Sequence, residues 1–403
     1  MTVEPISEPR YQTMKRQRRA FLLEVGAVVG IVLLLIFVIP LILNSVGQGV
    51  RVNQLGRFVA LAIVALGIDL IWGYTGLLSL GHGIFFALGG YALAIFLQLQ
   101  PLPGQTTVGL PEFFTLYGVS ELPFFWQPFY SFPFTLLAIV LVPFIVATAL
   151  GYLVFRNRIR GVYFSILTQA ALIVFFNFFN GQQKLINGTN GLKTDTSYLF
   201  GIQVSDPSIQ RNFYILSIVF LALAYVLCRW LTSGRLGRML VAIRDDETRV
   251  RFSGYNPTDY KVFVFAISAV LAGISGALYT VQSGIITPKA MDVAFSIEMV
   301  IWVAVGGRAT LVGAVLGTLL VNFAKTLLSE QFPEFWLFFQ GALFLLVVTV
   351  LPAGILGWLR SDGLTALQAI FGQPKRVTTY PSLEEDPDVQ YERQTLSDRE
   401  SER

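Results

Sequence analysis

The chain has 403 residues, 54% of them hydrophobic and only 13% charged, too apolar a balance for an ordinary soluble domain. Its formal net charge of +4 comes from basic residues scattered over separate segments, which argues against a nucleic-acid-binding surface. The one cysteine, Cys228, cannot form an internal disulfide and sits in no metal-ligand spacing, so it reads as a small apolar packing residue.

A membrane-crossing helix needs about 20 apolar residues, because each residue rises 1.5 Å and the hydrocarbon layer is roughly 30 Å thick. About ten stretches meet that need, near 22–43, 58–73, 77–99, 132–155, 161–180, 211–232, 261–282, 295–307, 309–328 and 336–357. Lipid cannot satisfy free backbone groups, so helix is expected for each. The eighth and ninth meet at Gly306-Gly307-Arg308 and fit either two spans or one re-entrant pair, leaving eight to ten spans in all. The predicted fold is all-α and polytopic, with a basic segment at 1–21, a transmembrane domain at 22–358 and a charged tail at 359–403. That tail has little apolar periodicity and is expected to be disordered.

The loops alternate in charge. With the amino terminus inside, the inside segments hold 22 of the 29 Lys and Arg residues and the outside loops hold 6. Positive residues favour the cytoplasmic face, so both termini are predicted to be cytoplasmic, in a plasma membrane. The apolar run after Lys15–Arg19 continues to Ile42, longer than a cleaved signal sequence, and reads as a retained helix.

Between the spans, the outside loop 100–131 is rich in proline and aromatics and carries no Lys or Arg. It suits an interfacial cap or a docking surface. Segment 181–210 is polar and rich in Gly and Asn, and fits a solvated turn region or a functional loop. Ser233–Asp259 is the most charged stretch between spans. Leu236, Leu240, Ile243 and Val250 recur at helical spacing, with Glu247 interrupting the face. Asp245 with Arg249, and Glu247 with Arg251, have the order that favours i,i+4 pairing. Gly254 and Pro257 are expected to end this helix and Asp259 to cap the next. An amphipathic helix of this kind can lie on lipid or dock in a partner's groove, and its mixed charges favour the partner.

Ionisable residues at membrane depth are costly and mark candidate sites. Asp69 and Glu298 are the foremost, with His82, Ser79 and Gln169 as further candidates for a translocation path. Lys325 fits a snorkelling side chain. The alternative for each is structural: reach to the interface for Glu298, and helix–helix hydrogen bonding for His82, Ser79 and Gln169. No Ser/His/Asp set or metal cluster is apparent, so an enzyme is not expected. No Gly-Lys pair occurs anywhere, so no phosphate-binding loop exists and ATP must be hydrolysed elsewhere if it is used.

Several stretches together resemble permeases of branched-chain amino acid ABC importers, in their LivM branch. They are Gly73-Tyr74-Thr75-Gly76-Leu77-Leu78-Ser79-Leu80-Gly81-His82-Gly83, Arg160-Gly161-Val162-Tyr163-Phe164, Ser268 to Tyr279, Ser296-Ile297-Glu298 and Val305-Gly306-Gly307. The resemblance covers about 58–358. Within the branch, Arg249 to Pro257, Ile301 to Arg308 and Pro333 to Phe339 are most similar to the urea-importer (UrtC) type. Arg308-Ala309-Thr310 replaces the Gly-Leu-Gly usual in the amino acid permeases, and Asp69 stands where Asn is common.

The resemblance implies a permease subunit for urea, without an ATPase site or cofactor of its own. It further implies a paralogous permease, two ATPase subunits carrying ATP and Mg, a periplasmic binding protein and surrounding lipid as partners, and no nucleic acid. Arg235, Arg238, Ile243, Arg244, Asp245, Glu247 and Arg249 would couple to the ATPases. Branched-chain amino acids or short amides are the alternative cargo, and a passive urea or amide channel the alternative class.

Overall fold

The computed structural model describes residues 50–102, 110–159 and 161–332, with scattered positions at 30–45 and 335–358. The basic segment 1–21, most of the expected spans 22–43 and 336–357, Arg160 and the tail 359–403 lie outside the described residues.

Nine long helices carry the fold among the described residues: α1 (Val50–Thr75), α2 (His82–Gln98), α3 (Phe132–Arg156), α4 (Val162–Gly181), α5 (Pro207–Ser233), α6 (Arg235–Phe252), α7 (Pro257–Ser283), α8 (Val293–Gly306) and α9 (Leu311–Gln331). Six of them, α1, α3, α4, α5, α7 and α9, are long and apolar enough to cross a membrane, while α2 and α8 are shorter apolar helices. Together they occupy the eight expected spans from 58 to 328. At 14 residues, α8 is about 21 Å long and too short to cross alone.

Helix α7 runs through the centre, packed along α1, α2 and α3, and α1 also packs against α5 and α9. Lipid tails are as apolar as leucine, so helices here associate through close van der Waals packing rather than hydrophobic burial. The glycines make that approach possible. A Cβ on Gly276 of α7 would fall on the Phe86 carbonyl of α2, and one on Gly89 of α2 on the Gly273 carbonyl of α7. Gly313 and Gly317 likewise lie against the backbone of α8 at Gly306 and Trp302. Both small-residue faces are thus consumed within the chain. The opposite faces of α3 and α4 stay apolar and exposed, as at Leu137, Ile145, Ile166 and Val174.

The structure corrects the expected span at 77–99. Its first part is not helical: α1 ends at Thr75, Gly76 takes a left-handed φ of 73°, and α2 starts only at His82. The intervening residues have no regular secondary structure yet are buried at Leu77 and Ser79. Such backbone is tolerated at membrane depth only where protein satisfies it. Helix α4 does so, with Thr168 Oγ1 accepting from Leu80 N at 3.1 Å and Ser165 Oγ donating to Leu78 O at 2.7 Å.

The two long loops are ordered against each other. In loop 100–131, Trp126 is buried and donates to Leu185 O at 3.1 Å. In segment 181–210, Leu192–Lys193 pairs antiparallel with Ile285–Ile286 beyond α7. Asp206 caps α5 by accepting from Ser208 N, and the Ser208 hydroxyl and N–H hold its exposed carboxyl below the ordinary range.

Candidate functional site

Helix α6 is built differently from the expected continuous helix. Asp246 has extended backbone (φ −157°, ψ 96°), which breaks α6 into two pieces. Its Oδ1 accepts from Thr248 N at 2.9 Å and Arg249 N at 3.2 Å, so Asp246 acts as the cap of the second piece. The break also redirects the ion pairs. Asp245 pairs with Arg244 at 3.2 Å and Arg249 with Asp246 at 3.0 Å, in place of the expected Asp245–Arg249 pair. The Glu247–Arg251 pair forms as expected, at 2.8 Å. Asn256, rather than Asp259, caps α7 by accepting from Thr258 N.

Glu247 does not interrupt the apolar face as an exposed residue. It is buried and also accepts from Lys261 Nζ of α7 at 2.6 Å, so one carboxylate holds two cations. Desolvating such groups is costly, and only paired, hydrogen-bonded geometry repays it. Ile243 is buried too, with Leu240 and Val250. Of the seven proposed coupling residues, Ile243 and Glu247 therefore seat α6 on the bundle and are not presented outward. Arg235, Arg238, Asp245 and Arg249 are exposed.

Arg244 has a distinct position. Its Nη1 donates to Gly73 O at 3.0 Å, and its stem covers Gly76. This ties α6 to the carboxyl end of α1. From there a second set of contacts reaches the α8–α9 joint at Gly307 to Thr310. Asp69 Oδ1 accepts from Ala309 N at 2.7 Å, Tyr74 Oη approaches Ala309 O at 3.5 Å, and the Arg308 guanidinium lies 5.0 Å from the Trp72 ring centre. Ala309 itself has a positive φ of 59°, a conformation that costs a non-glycine residue energy and that surrounding contacts must hold.

The five proposed path residues do not gather in one cavity. Asp69 is buried at the α1 end just described. Ser79 is buried in the break between α1 and α2, where its Oγ accepts from Gly81 N at 3.3 Å. His82 Nε2 lies 2.6 Å from Ser268 Oγ, which donates to Gly67 O at 2.6 Å. Because Ser268 spends its proton on Gly67, Nε2 is the donor and His82 bridges α2, α7 and α1. Gln169 is half-exposed on α4. Glu298 is buried near the start of α8, held by Lys325 Nζ at 2.8 Å to both oxygens. Lys325 is thus an ion-pair partner rather than a simple snorkelling chain. Among the described residues no group of three or more His, Cys, Asp or Glu residues is placed to hold a metal ion.

Two other features escaped sequence reasoning. One is the Arg244–Gly73 clasp. The other is a polar groove between α1 and α9 near Arg57. Each joins residues remote in the chain, and no local pattern announces them.

A bundle of long apolar helices, a polar helix clasped to its edge, and broken backbone buried at membrane depth define a multi-pass membrane transport subunit. Residues 50–348 match the family described as Branched-chain amino acid transport system / permease component. The chain belongs to that family, whose members are permease components of ABC transporters, and it is accordingly an inner-membrane transport subunit rather than an enzyme.

Among curated proteins it is similar to the high-affinity branched-chain amino acid transport system permease protein LivM of Salmonella typhimurium, 26% identical over 73% of this chain and 67% of that one. BraD of Pseudomonas aeruginosa, of the same description, is 24% identical over 73% of this chain and 91% of its own length. LivH of Escherichia coli gives the same figures, 24%, 73% and 91%. No solved structure matches the chain.

Proposed function

We propose that this chain is one of two permease subunits that together form the path of an ABC importer, with urea as its cargo. A paralogous permease supplies the other half, a periplasmic binding protein delivers the solute, and two ATPase subunits, which carry ATP and Mg, supply the work. Both termini and α6 face the cytoplasm in this reading.

The clasp of Arg244 on Gly73 carries the proposal. An ATPase that grips the exposed arginines of α6 moves Arg244 with it, because Ile243 and the Glu247–Lys261 pair keep α6 seated on the bundle. The pull passes to the end of α1, then through Asp69 and Arg308 to the α8–α9 joint. A passive channel has no use for such a linkage.

Urea is supported by Arg249 to Pro257, Ile301 to Arg308 and Pro333 to Phe339, and by Arg308-Ala309-Thr310 in place of Gly-Leu-Gly. A branched-chain amino acid is the second reading, favoured by what LivM, BraD and LivH are named for.

Uptake of labelled urea and labelled leucine by cells with and without this chain separates the two. Saturable, energy-dependent urea uptake that vanishes without the chain is the expected result. Loss of leucine uptake alone assigns the amino acid. Thiols introduced at Arg235 and Arg249 should resist impermeant maleimide in intact cells, and their labelling from outside would remove the ATPase-driven reading.

A further inference from the structure

Far from the clasp, toward the amino end of α1 and the carboxyl end of α9, a groove of about 170 Å³ opens between the two helices. Helix α1 gives it Arg57. Helix α9 gives it Asn322, Lys325 and Ser329, whose spacing of three and four residues puts them on one face. Tyr279 of α7 lines it as well. This volume holds a small solute but not a drug-sized one.

The groove's hydrogen-bonding capacity is directional. Lys325 is committed to both oxygens of buried Glu298, a pair neutral as a unit. Arg57 then supplies a net positive charge, and its buried Nε has no hydrogen-bond partner among the described residues. Leaving a buried donor unsatisfied is costly and calls for an acceptor. Asn322 spends its Nδ2 on Thr318 O, which leaves Oδ1 as an acceptor. Ser329 Oγ donates to Thr326 O and keeps its lone pairs. The α1 wall therefore offers the Arg57 donors, and the α9 wall offers the Asn322 and Ser329 acceptors on either side of the Lys325–Glu298 pair.

We propose that this groove is a binding station for the transported solute, which gives an oxygen to the Arg57 guanidinium and N–H groups to Asn322 Oδ1 and Ser329 Oγ. Glu298 is a positioning residue that fixes Lys325 beside it. The ligand chemistry is a planar acceptor oxygen flanked by N–H donors. Urea has it in its carbonyl and amides, and an α-amino acid in its carboxylate and ammonium. The identification as a transport station rests on the importer reading above.

The test is the concentration dependence of urea and leucine uptake by the whole importer carrying Arg57→Gln, Arg57→Lys or Asn322→Ala, with Arg51→Gln as control. Arg57→Gln should raise the half-saturating concentration about tenfold for urea, or closer to a hundredfold for leucine, whose carboxylate makes the stronger charge-assisted bond. Arg57→Lys should recover part of the loss, and the control should match the parent. Unchanged half-saturation in both Arg57→Gln and Asn322→Ala overturns the station and leaves the importer reading standing.

If the unaltered importer moves neither solute, the cargo reading fails by itself. The groove is then judged by maleimide labelling of Ser329→Cys in a Cys228→Ser background. Protection by urea or leucine supports it, and no protection by either overturns it.

Discussion

Asp69 uses one oxygen and leaves the other idle. Oδ1 accepts from Ala309 N at 2.7 Å, while Oδ2 is buried with no hydrogen-bond partner among the described residues. Only the first is required to hold the α8–α9 joint. Asp69→Asn keeps that acceptor and removes a buried carboxylate, so it should leave the thermal midpoint of the purified protein in detergent unchanged or raised. Asp69→Ala strands the Ala309 N–H and should cost about 1–3 kcal/mol, read as a fall in the midpoint. Equal losses in both variants would show that the carboxylate itself is needed. Residue identity in the sequence pointed to Asp69 because an acid at membrane depth is conspicuous, but its partner was illegible: Ala309 is a backbone donor, and a backbone donor has no signature in sequence.

At the scale of elements, apolar length made most of the fold legible. The runs from 132 to 328 became helices close to their expected bounds, because lipid leaves a long apolar segment no other structure. Apolar length failed where helices break. Leu77 and Leu78 continue the apolar pattern, yet the chain is not helical there, and α4 takes up the backbone groups of Leu78 and Leu80 instead. The turn at Asp246 hid in the same way, because an aspartate suits a polar helix face as well as a cap.

Glycine contacts between elements give a sharper test. Gly276→Ala sets a methyl group on the Phe86 carbonyl, a backbone atom that cannot swing aside, so α2 and α7 must separate. A loss of about 1–3 kcal/mol or more is expected, seen as a lowered midpoint and reduced yield of folded protein. Gly181→Ala, at the end of α4 with open space around it, is the matched control and should be neutral or gain up to about 1 kcal/mol. Equal tolerance of the two substitutions would mean that α2 and α7 are not in contact at Gly276.

At the scale of the whole molecule, α1 is the piece that the clasp and the proposed station share. Its 26 residues extend about 39 Å, with Arg57 in the groove toward one end and Gly73 under Arg244 at the other. A rigid helix packed on both α7 and α9 carries a displacement along its length, because close-packed contacts shift together rather than deform singly.

In the proposed importer that arrangement separates gripping from transmitting. Arg249 is exposed on α6 and pairs with Asp246 of the same helix, whereas Arg244 holds α1 directly. Arg249→Ala should therefore weaken capture of the ATPase subunits in a pull-down from detergent extracts, by up to about tenfold for one interfacial charge pair. Arg244→Ala should leave that capture near the parent's and instead lower the solute moved per ATP hydrolysed in vesicles, since the motor still grips α6 but α6 has lost its hold on Gly73. If Arg244→Ala abolishes capture and Arg249→Ala does nothing, Arg244 is itself a contact for the motor, and force must enter the bundle through Glu247 and Lys261 of α7 instead.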